Sequence, residues 1–114
     1  TEVTMYTVIK KLEFSAAHKL DLPYPSPCTN LHGHNWKVEV TCKAEKLNAQ
    51  GMVVDFADIK KAVNETFDHK YINDVLGGQN PTAENIAHYI CGHIPNCVKV
   101  VVQESEGNTA VYEK

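Results

Sequence analysis

The chain has 114 residues, 11 of them Lys or Arg and 14 Asp or Glu, for a net charge of −3, so a nucleic-acid binder driven by bulk positive charge is excluded. A chain of this length reads as one domain, residues 1–114, and buries roughly two-thirds of its unfolded surface, enough for a core without disulfide staples. With 43% apolar and 22% charged residues it has the composition of an ordinary globule, and no apolar run reaches the roughly 18 residues of a membrane span.

Met5 to Ala16 alternates imperfectly through Tyr6, Val8, Ile9, Leu12 and Phe14, which predicts a strand with a bulge near Lys10-Lys11 and His18 just past its end. Asp21 to Pro27 is a Pro-rich surface loop. From His34 the alternation is clean, with Trp36, Val38, Val40 and Cys42 against Lys37, Glu39, Thr41 and Lys43, the pattern of a sheet with one wet face. Phe56, Ile59, Val63 and Phe67 then recur at helical spacing, with Asp55 as N-cap and Asp58 in the first turn. A second helix is predicted from Asn80-Pro81-Thr82, burying Ile86, Tyr89 and Ile90 and stopped by Pro95. Val98 to Gln103 reads as a buried strand, Glu106-Gly107-Asn108 as a turn and Thr109 to Tyr112 as the returning strand. The order is ββααββ, an α+β fold with a four-stranded antiparallel sheet and two helices on one face. Its two open edges predict a homo-oligomer.

Six histidines is a high count for this length. In His32-Gly33-His34 the spacing puts both imidazoles on one side of an extended backbone, and Gly33 leaves the other side open. With His18 at the end of the neighbouring strand they make three ligands, the open kind of zinc site whose vacant position takes water or substrate; the other reading is a pair of loop histidines. Cys28 is a candidate base or nucleophile, a candidate fourth ligand that would close the site, or a small loop residue. The four cysteines form no Cys-x-x-Cys pair and read as reduced thiols, with Cys42, Cys91 and Cys97 as small hydrophobes. Asp68-His69 has the carboxylate–imidazole pairing of general acid/base catalysis, or serves the helix dipole. Glu104 can accept two parallel hydrogen bonds from a planar 2-amino-4-oxo heterocycle, or stand solvated at a strand end. Thr82 and Glu84 read equally well as N-cap and first-turn acid of the second helix.

Phe14-Ser15-Ala16-Ala17-His18, Cys28 with Leu31-His32-Gly33-His34, Gly51-Met52-Val53-Val54-Asp55-Phe56, Asp68-His69, Asn80-Pro81-Thr82-Ala83-Glu84-Asn85 and Gln103-Glu104 together resemble the 6-pyruvoyltetrahydropterin and 6-carboxytetrahydropterin synthase family. The match runs in order over nearly the whole chain, and that family's tunnelling fold has the ββααββ order. The resemblance implies Zn²⁺ on His18, His32 and His34, an acid/base set of Cys28, Asp68 and His69, and a pterin ring anchored by Glu104 with Thr82 and Glu84 near its pocket. It further implies an active site shared between subunits of a hexamer, two stacked trimers whose sheets join into a barrel.

The Cys-x-x-x-His-Gly-His interval looks like the 6-carboxytetrahydropterin synthases of the queuosine pathway. The 6-pyruvoyl enzymes have a longer interval, and a third subgroup has Glu where this chain has Cys28. The expected reaction is conversion of 7,8-dihydroneopterin triphosphate to 6-carboxy-5,6,7,8-tetrahydropterin, acetaldehyde and triphosphate by a zinc-dependent lyase. The alternatives are a 6-pyruvoyl synthase and a non-catalytic zinc- or pterin-binding homologue. No nucleic acid or membrane partner is expected, and because Thr1 to Lys11 carries neither a signal-peptide nor a transit pattern, the expected location is cytoplasmic.

Overall fold

Alternation of β-branched and aromatic residues with charged ones makes two long strands, β1 (Tyr6–His18) and β2 (His32–Ala44), each 13 residues. The computed structural model, which describes residues 4–114, joins them to β3 (Cys97–Ser105) and β4 (Asn108–Glu113) in one antiparallel sheet of order β1-β2-β3-β4. The helices α1 (Phe56–Phe67), α2 (Ile72–Leu76) and α3 (Ala83–Gly92) lie between β2 and β3 in sequence, and a single 3-10 turn, Pro27–Thr29, precedes β2.

One sheet face carries Phe14, Trp36, Val38, Val40, Val100 and Val102, all buried, against Ile59, Val63, Phe67, Ile86 and Ile90 of the helices. Phe14 stacks between Trp36 and Phe67, with ring centroids 6.1 and 5.2 Å away. Cys42, Cys91 and Cys97 meet in this core, as expected of small hydrophobes. Burial pushes the Cys91 thiol up to about 12. The other face has no helix over it; its charges alternate in sign across strands, Lys11 beside Glu39 and Glu13 beside Lys37, which favours pairing over repulsion. The Cα radius of gyration is 15.5 Å, above the roughly 13 Å of a compact chain this long, as suits an elongated body of 55 × 27 × 26 Å.

Three expectations need correction. The β1–β2 register runs unbroken from Tyr6↔Ala44 to His18↔His32, so there is no bulge at Lys10-Lys11. Lys10 is instead a core-side position, only partly buried, where a long side chain lays its stem on apolar surface and keeps its charge wet. His18 is the last residue of β1 rather than beyond it. The helical layer contains the extra short helix α2, and α3 ends at Gly92 before Pro95, with His93 as its C-cap. Asn96 then takes a left-handed φ of 62°, held by its side-chain amide donating to Val53 O at 3.0 Å.

The segment after α1 clips onto the outer edge of β1. His69 N donates to Ser15 O at 2.7 Å and Ala17 N to Lys70 O at 3.2 Å, and Tyr71 forms a parallel bridge with Ala17.

Candidate functional site

The β1–β2 register sets His18 directly opposite His32, and the two-residue period puts His34 on the same face. The three ring centroids lie 4.5, 4.8 and 5.2 Å apart, and one ligand nitrogen from each falls within 4.8 Å of the others. Trp36, fully buried, walls the cluster edge-on to His18 and His34 and donates its indole N–H to Ala16 O at 3.2 Å.

Two backbone carbonyls settle which nitrogen faces inward. His18 Nδ1 donates to Pro81 O at 2.8 Å, and His32 Nδ1 to Asn30 O at 2.7 Å. An Nδ1–H held in this way leaves Nε2 as a bare lone pair, the tautomer and aim of a metal-ligating histidine. His18 Nε2 and His34 Nε2 are both buried with no hydrogen-bond partner, a costly condition that a cation would remove. The residues therefore fit the zinc ion that the resemblance implies: three neutral nitrogen donors, as in open sites.

Burial lowers the affinity of His18 and His34 for protons, with the Glu104 carboxylate opposing it. Both stay neutral at pH 7, as ligands must. The unfolded chain takes these protons near its ordinary value of about 6.5 while the folded chain resists them. The metal-free protein is thus expected to hold full stability above that pH and to lose it progressively as pH falls below. Melting curves at pH 7.5 and 5.5 check this; an unchanged midpoint would contradict it.

Cys28 is not part of the histidine set. It sits half-buried on the 3-10 turn, capped by Ser26 Oγ accepting from its N–H at 3.1 Å, while Leu20 N donates to its carbonyl at 2.8 Å. The turn is thereby tied to the chain two residues past His18. Asn73 and Asn80 hold the same segment, each exchanging a pair of hydrogen bonds with the backbone of Lys19 or Asp21.

Asp68 and His69 lie at the rim, on the clip that covers the end of β1. Asp68 Oδ1 accepts from Ser15 N at 3.0 Å and Oδ2 lies 3.1 Å from His69 Nδ1. The Ser15 N–H first and His69 second hold its carboxyl below the usual carboxylate value. His69 has a left-handed φ of 59° and its side chain is 82% exposed, a strained backbone of the kind kept at functional positions. An open cleft of about 600 Å³ is lined by Ser15, Gly33, His34, His69 and Lys70, so His69 and His34 border the same space. A Cβ on Gly33 would meet only Ala16 O, at 3.7 Å; the fold does not demand glycine there, and its absence of a side chain keeps the cleft open.

Glu104 stands on the other side of the cluster. The β3–β4 pairing passes from Gln103↔Thr109 to Ser105↔Asn108, leaving Glu104 as the extra residue of a bulge, a device that re-aims a side chain. Its carboxylate lies 3.5 Å from His34 Nε2 and 4.0 Å from His18 Nε2. It also lines a cleft of about 520 Å³ with Glu84, Asn108 and Thr109. Thr82 does not line that cleft; its hydroxyl accepts from Asn85 N at 3.1 Å as the N-cap of α3, where Glu84 is the first-turn acid. The carbonyls of Pro81 and Asn30, the wall formed by Trp36 and the Ser15 anchor of Asp68 were not among the expected site residues.

A family model described as 6-pyruvoyl tetrahydropterin synthase matches residues 7–114. A protein of Archaeoglobus fulgidus provisionally named 6-carboxy-5,6,7,8-tetrahydropterin synthase is 40% identical over 85% of this chain and 86% of its own length. The human 6-pyruvoyl tetrahydrobiopterin synthase is 34% identical over 93% of this chain and 90% of its own. Among solved structures, the Caenorhabditis elegans 6-pyruvoyl tetrahydropterin synthase superposes with a TM-score of 0.77 at 26% identity, covering 100% of this chain and 99% of that one.

Proposed function

The chain belongs to the 6-pyruvoyl tetrahydropterin synthase family, and from that membership we propose that it is a zinc-dependent lyase converting 7,8-dihydroneopterin triphosphate to 6-carboxy-5,6,7,8-tetrahydropterin, acetaldehyde and triphosphate. The observation that carries this reading is the three-histidine cluster, two of whose rings are anchored through Nδ1 to backbone carbonyls, beside a cleft lined by Glu84 and Glu104 and another lined by His34 and His69. The short Cys28-to-His32 interval favours the carboxy over the pyruvoyl product, in keeping with the name of the Archaeoglobus relative. Such a reaction belongs to 7-deazapurine (queuosine) biosynthesis in the cytoplasm, carried by one domain over residues 1–114.

His18, His32 and His34 would hold Zn²⁺, which would supply a Lewis acid that eases proton removal from the substrate side chain. Glu104 accepts the two parallel N–H bonds of the pterin ring, Glu84 lines the same cleft, and Thr82 holds the start of α3 behind it as N-cap. Cys28, as thiolate, removes a side-chain proton, and His69, oriented by Asp68, returns or relays protons during internal redox and triphosphate loss. Carbon–carbon cleavage then releases acetaldehyde, with one water taken up to complete the carboxylate.

The exposure of His69 suits a group that serves the zinc and cysteine of a neighbouring copy. The two edge strands each present an exposed aliphatic on the helix-free face, Ile9 at 50% and Val111 at 55%. Pairing β1 of one copy with β4 of the next would cover both and join the sheets into a barrel, the trimer of a two-trimer hexamer.

Mass-spectrometric product analysis of zinc-loaded protein with dihydroneopterin triphosphate, run beside an acetaldehyde assay, tests the proposal. Carboxytetrahydropterin with one equivalent of acetaldehyde is expected. A pyruvoyl product without acetaldehyde would assign the other reaction, and unchanged substrate would assign a binding role.

A further inference from the structure

We propose that Glu104 is the fourth metal ligand in the free protein, a displaceable carboxylate that leaves the ion when substrate enters. The proposal rests on the zinc site and reaction just described and names a second job for a residue otherwise given to the pterin ring.

The geometry carries it. In a tetrahedral site with Zn–N and Zn–O bonds of about 2.0 to 2.1 Å, neighbouring donor atoms lie about 3.4 Å apart. Glu104 Oε1 stands 3.5 Å from His34 Nε2, close to that edge length, and Oε2 lies 4.0 Å from His18 Nε2. Neither nitrogen has a hydrogen-bond partner, and His18 Nδ1 already carries its proton toward Pro81 O. The carboxylate therefore faces a bare lone pair on His18, an arrangement that is repulsive when empty and favourable around a shared cation.

The bulge explains why this glutamate can move. Gln103 and Ser105 keep their partners across β4 while Glu104 has none, so its side chain is aimed by a kink rather than locked in a ladder. It is 27% exposed and borders the cleft that contains Glu84. A small rotation carries the carboxylate from the ion into that cleft, where ring N–H donors would meet it.

The test uses the full chain loaded with Co²⁺, whose visible absorption reports its ligands. Azide is titrated into the wild type, Glu104→Gln and Glu104→Ala, and metal affinity is measured against a chelator. We expect azide to bind both variants at least tenfold more tightly than the wild type, and the variants to release metal about ten- to a hundredfold more readily. Water-proton relaxation in the unsubstituted protein gives a check that needs no variant: no rapidly exchanging water should sit on the ion. Equal azide and metal affinities, or an exchangeable bound water in the wild type, would overturn the proposal. Pterin turnover is scored separately: turnover without the azide barrier removes only the Glu104 ligand, and the barrier without turnover removes only the assigned reaction.

Discussion

His34→Ala should lose its zinc on dialysis and lose turnover by about a thousandfold or more, since Lewis-acid stabilisation supplies several kcal/mol and each 1.36 kcal/mol is a factor of ten. His34 is the better ligand to replace because its side chain is 20% exposed, whereas His18 is fully buried and bonded to Pro81, so removing it would damage the core as well. Loss of a member of a three-donor set should weaken binding at least as much as the ten- to hundredfold seen for groups that merely support a ligand. Metal content by mass spectrometry and melting temperature separate the two effects. A well-folded His34→Ala with full zinc and full turnover would exclude the histidine site.

Cys28→Ala should behave oppositely, keeping its zinc while turnover falls by about 10²- to 10⁴-fold, the range for removing a general base. Cys28 is not in the ligand cluster, and its turn is tied down through backbone groups and the Ser26 hydroxyl, so the substitution leaves the scaffold in place. Zinc stoichiometry and kcat measured on the same sample decide the matter: metal loss would make Cys28 a ligand, and retained turnover would remove it from the chemistry.

What could be read from the sequence follows from where the signal lies. The His32-Gly33-His34 spacing and the strand before it are side-chain patterns, so the grouping of the three histidines and the β1–β2 pairing were both legible. The Pro81 and Asn30 carbonyls that orient the rings are backbone atoms that any residue supplies, and nothing in the composition marks them. Helix α2, five residues long, is too short to display a 3.6-residue period. The misplaced bulge shows the limits of alternation: Lys10 looks like a break in an apolar face until its long stem is counted as apolar. The sheet's irregularities lie instead at Thr41-Cys42 and at Glu104, where no break in the side-chain pattern marks them.

The clip of residues 69–71 on β1 gives the edge strand two unequal halves. Near its C-terminal end, Ser15 and Ala17 already have their outward backbone bonds taken by His69 and Lys70, while the stretch from Tyr6 onward has no such cover among the described residues. A strand arriving from outside can slide along that free stretch only until it strikes the clip. In the assembly proposed above, the clip would be an end-stop, setting the register by collision rather than by sequence preference. Because His69 is part of the stop itself, each arriving strand would come to rest at a fixed offset from the imidazole, and the spacing of an active site divided between chains would be written into the length of one strand.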